Sequence, residues 1–139
     1  MKRIANIEPY TLRLTITGSL PDPEKTIAAL LTDLAKRCED ASGPLVGHIK
    51  CHACTASGNF HCNLTSLRTG AQCSSLPLAT ELPSERIDVD FAILVYGLER
   101  ETIDGLTRAS VDALCNARGV TGVMRSSSAA HTHPDPACR

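Results

Sequence analysis

Seven cysteines and five histidines are the residues of this 139-residue chain best suited to chemistry, and they are unevenly placed. The cysteines are Cys38, Cys51, Cys54, Cys62, Cys73, Cys115 and Cys138, and seven of the twelve Cys and His residues fall between His48 and Cys73. A thiolate beside an imidazole has two chemistries. It holds a soft metal such as zinc, or it attacks as a nucleophile with the imidazole as its base. Cys51-His52-Ala53-Cys54 contains a Cys-x-x-Cys spacing, whose sulfurs chelate zinc at about 2.3 Å when they converge at a turn. Thr55 stands where haem attachment requires His, which removes that reading.

Which chemistry survives depends on the elements that position these side chains. Residues 45–55 and 60–66 read as a hairpin around Ser57-Gly58, with Ala56 and Asn59 flanking the turn. That register pairs Thr55 with Phe60, Ala53 with Cys62 and Cys51 with Leu64, and with Ile49 they form one face. The other face carries His48, Lys50, His52, Cys54, His61, Asn63 and Thr65. On a regular strand residues i and i+3 point to opposite faces, so the Cys-x-x-Cys is split, with Cys51 inward and Cys54 outward. A different set remains: Cys54 directly opposite His61, His52 two residues from Cys54, and Cys73 folding over from the following loop. His52, Cys54, His61 and Cys73 are therefore the expected metal ligands, with zinc the best-suited ion. Asp88 and Asp90 would support that site as second partners or oxygen ligands. The same geometry allows a Cys54–His61 nucleophile and base oriented by Asp88 or Asp90.

Simpler roles compete for each residue. Cys38, Cys51, Cys62 and Cys115 occupy apolar-periodic or core-adjacent positions, where small buried thiols are ordinary. His48 and His52 on a solvated face serve as polar surface. His131, His133 and Cys138 fall in a Ser-, Ala-, His- and Pro-rich stretch, 126–139, that reads as a disordered tail. Nothing supplies an oxyanion hole, a substrate pocket or a phosphate-binding glycine loop, so no catalytic residue is assigned and an enzyme is the weaker expectation.

The rest of the chain supplies a scaffold. Tyr10, Leu12, Leu14 and Ile16 alternate with Thr11, Arg13, Thr15 and Thr17, a half-buried strand closed by Gly18. Asp22-Pro23 reads as N-cap and first helical residue, and Ile27, Leu30, Leu31, Leu34 and Cys38 give residues 23–40 one apolar face. Residues 67–85 show no clean periodicity. Ile87, Val89, Phe91, Ile93 and Val95 mark a central strand, and about 100–117 a second helix. Val120 to Met124 suits a short edge strand. The expectation is one α+β domain over residues 1–125, a two-layer sandwich in the order β-α-β-β-β-α. Its mainly antiparallel sheet has about four strands, or one more with the final edge, and both helices lie on one side.

Composition bounds the partners. The chain is 42% hydrophobic and 21% charged with a formal net charge of −1, and its aromatics are Tyr10, Phe60, Phe91 and Tyr96. Near-neutral charge without a basic block argues against nucleic acid. No run approaches the ~18–20 apolar residues of a membrane helix. An odd cysteine count with no apolar stretch after the first Met leads to the expectation of a reducing, cytoplasmic location. The formal glycosylation triplet Asn63-Leu64-Thr65 then carries no weight. A sheet with one polar face needs a cover of water, a small molecule or another subunit. With Ala92, Leu94 and Tyr96 on that face, the leading expectation is a self-associating interaction module, a homodimer or larger homo-oligomer.

Overall fold

Strict alternation of apolar and polar residues makes Tyr10–Leu20 a strand, β1, with Leu12, Leu14 and Ile16 fully buried on one side. The computed structural model describes residues 9–75 and 83–126. After β1 come α1 (Pro23–Ser42), β2 (Gly47–Thr55), β3 (Gly58–Leu64), β4 (Gln72–Ser75), β5 (Ser84–Val95), α2 (Arg100–Arg118) and β6 (Thr121–Ser126). The sheet order is β4-β3-β2-β5-β1-β6, and every neighbouring pair is antiparallel.

β1 and β2 both run opposite to the intervening β5, so they are parallel to each other and joined by α1. In the same way β5 and β6 flank β1 and are joined by α2. The chain thus builds two interlocked split β-α-β units, and β3 and β4 extend the sheet beyond β2. The class is α+β as expected, with two helices and six strands among the described residues. The additional strand is β4, within the stretch that lacked periodicity.

Both helices cover the same face of the sheet. Ile27, Leu30, Leu31, Leu34 and Cys38 of α1 and Ile103, Val111 and Cys115 of α2 close on Ile87, Val89, Phe91 and Ile93 of β5 and their neighbours. Asp22 caps α1, its side chain accepting from the Lys25 amide at 3.3 Å, with Pro23 at the first helical position. α2 ends at Gly119, whose left-handed φ of 67° follows a last turn containing Arg118.

Gly18 bends β1 instead of closing it. Its φ is 132°, and the pairing shifts by one residue between Thr17 opposite Arg86 and Leu20 opposite Ser84. This bulge lets the strand continue until Leu20 is fully buried. A Cβ at position 18 would lie 2.7 Å from Val120 Cγ1, so Gly is needed for close approach as well as for φ. Among the described residues, no helix is long and apolar enough to cross a membrane. Ser126 ends β6, and the rest of the expected tail, with residues 76–82, lies outside the described residues.

Candidate functional site

Among the described residues neither helix lies on the second face of the sheet, and period two sends the polar half of every long strand there, although Cys54 on this face is buried. The registers align these side chains in rows across the strands. One row runs Ser74, His61, His52, Asp90, Arg13 and Arg125, one residue from each of the six strands. The next runs Asn59, Cys54, Asp88, Thr15 and Val123.

The imidazoles of His52 and His61 face each other across β2 and β3 with centroids 4.7 Å apart. Beside them, Asp90 accepts from Arg13 Nε at 2.9 Å and from its Nη2 at 3.1 Å, a bidentate pair between β5 and β1. Asp88 accepts from the Thr15 hydroxyl at 2.8 Å and from Arg86 Nε and Nη2 at 3.1 and 3.2 Å. Both carboxylates are thus committed to arginines and a hydroxyl rather than to the histidines. Farther along β2, burial, helped by the Lys50 charge, holds His48 below the usual imidazole range, which favours its neutral form.

The expected metal ligands are only partly brought together. The hairpin turns at Ala56-Ser57, one residue earlier than the expected Ser57-Gly58, so Thr55 pairs with Gly58 and Cys54 with Asn59. The Thr55 side chain fixes this turn, donating to the Gly58 carbonyl at 3.0 Å and accepting from the Ser57 amide at 3.2 Å. A shift of two residues leaves every side chain on its expected face. It exchanges partners, however, so His61 meets His52 and not Cys54.

Cys73 is displaced further. It pairs with Cys62 on the inner side of the sheet, and the two form a disulfide with Cα atoms 4.1 Å apart. Cys62 is consequently not the free core thiol expected, and Cys73 does not fold over the outer face. Cys54 is buried and also disulfide-bonded, so neither it nor Cys73 is a thiolate ligand here, and the Cys54–His61 nucleophile pair is not formed. Cys38, Cys51 and Cys115 are buried free thiols as expected. Among the described residues, no group of three or more His, Cys, Asp and Glu side chains is placed to hold a metal ion.

A second feature lies where β5 leads into α2. A cleft of about 220 Å³ is lined by Tyr10, Ile93, Leu94, Tyr96, Arg100 and Ile103 among others. Of these residues, Tyr10 donates its hydroxyl to Asp104, and the Arg100 guanidinium lies 5.0 Å from the centroid of the Tyr10 ring. Arg108 adds a 2.9 Å ion pair to Asp104. The Tyr10 hydrogen bond, followed by that of Arg108, holds the Asp104 carboxyl below its ordinary value of 3.8. Alternation along β1 places Tyr10 in a strand core, and nothing in the sequence around Asp104 marks it. Their separation of 94 residues leaves no local signal that they meet. No protein-family model, curated protein or solved structure matches this chain.

Proposed function

We propose that the protein is a self-associating binding module in which two copies meet through the sheet face opposite the helices. The observation that carries this reading is the distribution of charge on that face. Asp88 and Asp90 form a carboxylate column on β5, flanked by Lys50 on β2 and by Arg13 and Arg125 on β1 and β6. A second copy packed face to face about a two-fold axis lying between β5 and β1 sets each carboxylate column over the other copy's β1 with its Arg13, which makes the surface self-complementary.

Size and apolar content agree with that occupant. Six strands about 4.8 Å apart, at about 3.3 Å per residue, give this face a plane on the order of 600 Å². Stable interfaces bury roughly 800 Å² per partner. Ala92 and Leu94 are half-buried on this face, and Val123 is 53% exposed. These supply the apolar contact that charge alone lacks.

A cytoplasmic location fits this reading on one condition. Structural disulfides belong to oxidising compartments, and cytosolic ones are transient or redox-active. In the cytoplasm the Cys62–Cys73 bond would have to form and break.

Histidine footprinting tests the module. Carbethoxylation of His52 and His61 should slow several-fold as protein concentration rises from about 1 to about 100 μM, the range over which a micromolar interface fills. Modification rates independent of concentration would remove this face as the contact.

A further inference from the structure

On the inner side of the sheet, the registers align three cysteines in one row across three strands. Cys51 of β2 is opposite Cys62 of β3, and Cys62 is opposite Cys73 of β4. Cys62 and Cys73 share the disulfide, while Cys51 is a free thiol, 5% exposed. We propose that these residues form a thiol–disulfide exchange site in which Cys51 displaces Cys73 from Cys62 and frees Cys73 at the sheet edge.

The register supplies the geometry of displacement. Exchange requires a thiolate to approach one sulfur from the side opposite the leaving sulfur. β3 lies between β2 and β4. Cys51 therefore reaches Cys62 from the flank opposite Cys73, and nucleophile, centre and leaving group occupy consecutive strands.

Spacing allows either bond. In antiparallel sheets narrow, non-hydrogen-bonded pairs alternate with wide, hydrogen-bonded ones. A residue that is narrow toward one neighbour is wide toward the other, because its N–H and C=O point the same way. The Cys62–Cys73 pair, with Cα atoms 4.1 Å apart, is the narrow type. Cys51 and Cys62 are then the wide type, with Cα atoms about 5.5 Å apart, inside the span a disulfide bridges. Burial pushes the Cys51 thiol up to about 12, so its thiolate is a minor species near neutral pH and exchange quickens as pH rises.

The step balances without an external oxidant or reductant. Cys51 loses its thiol proton to solvent, its sulfur lone pair forms the Cys51–Cys62 bond, and the Cys62–Cys73 bond breaks. Its electron pair leaves on Cys73, which takes a proton from solvent. The disulfide count is unchanged. What changes is location: the free thiol moves from the buried β2 to Cys73, half-buried on the four-residue edge strand β4. There it is open to a low-molecular-weight disulfide, which would cap it as a mixed disulfide and release one small thiol.

The test uses the full-length oxidised protein without reductant, exposed to iodoacetamide under native conditions and mapped after acid quench. Exchange predicts alkylation at Cys73 together with a Cys51–Cys62 linkage, and at least a tenfold loss of Cys73 labelling in Cys51→Ser. Cys51→Ala serves as a second variant, and the wild-type linkage map is decisive should neither variant fold. The proposal is overturned by a map containing only Cys62–Cys73 with Cys73 unlabelled. It is equally overturned by labelling of Cys62 and Cys73 together that persists in the Cys51 variants, or by a protein with no disulfide in this row.

Discussion

The imidazoles of His52 and His61 lie across β2 and β3 with centroids 4.7 Å apart and ring planes tilted by 35°. They are directly opposed residues, so they form a cross-strand pair at the centre of the polar row. Such pairs contribute roughly 0.2–1 kcal/mol relative to small residues. A double-mutant cycle with His52→Thr and His61→Thr should return a coupling of that size in urea unfolding. Cys54 and His61 should show none, since Asn59 is the residue opposite Cys54. The reverse result would restore the register with its turn at Ser57-Gly58.

The Cys62–Cys73 bond closes a loop of sequence separation 11. Chain-entropy arguments give such a cross-link about 2.5–3 kcal/mol. The double variant Cys62→Ala/Cys73→Ala should lose about that amount in urea unfolding, with the helices retained by circular dichroism. A loss below about 1 kcal/mol would show that β4 is held by its ladder and not by sulfur.

Those two predictions touch the parts of the site that were least legible in the sequence. β1, β5 and both helices follow from period-two and period-3.6 patterns, because their apolar faces are long and unbroken. The hairpin's faces were legible for the same reason, but its register was not. Ser57-Gly58 is a plausible turn dipeptide, and only the Thr55 hydroxyl decides for Ala56-Ser57. β4 has no apolar alternation in Gln72-Cys73-Ser74-Ser75, so nothing local marks it as a strand. It is held by pairing to β3 and by a disulfide, and disulfide connectivity is not readable from cysteine spacing.

Asp104 gives a pH dependence with a definite sign. Its carboxyl is held below 3.8 in the folded protein by the Tyr10 hydroxyl and by Arg108. The ionised form is therefore favoured by folding. Its contribution is full above the ordinary carboxylate value and is lost as pH falls through the lowered one. Tyr10→Phe should raise the Asp104 titration midpoint by NMR. It should also cost about 1 kcal/mol at neutral pH, allowing for partial solvent screening. The difference between Tyr10→Phe and wild type should shrink as pH falls through the lowered Asp104 midpoint. A penalty unchanged at low pH would assign the effect to packing of the ring.

Gly122 lets β6 dock under α2. A Cβ there would lie 2.9 Å from Cys115 Sγ and 3.1 Å from Val111 Cγ1. Gly122→Ala should destabilise by about 1–3 kcal/mol through overpacking, with the edge strand loosening first. Hydrogen exchange should report this as faster exchange in residues 121–126 than in β5. Unchanged thermal stability would mean that α2 moves freely.

Sedimentation equilibrium tests the central claim, pairing of two copies through the sheet face opposite the helices. The chain mass is 14.8 kDa, and the wild type at tens of micromolar should fit twice that value. Ala92→Glu places a charge on the face without entering the inner core and should return the mass to that of one chain. A wild-type protein that stays at 14.8 kDa throughout, or a dimer that Ala92→Glu leaves intact, would contradict the assignment of this face.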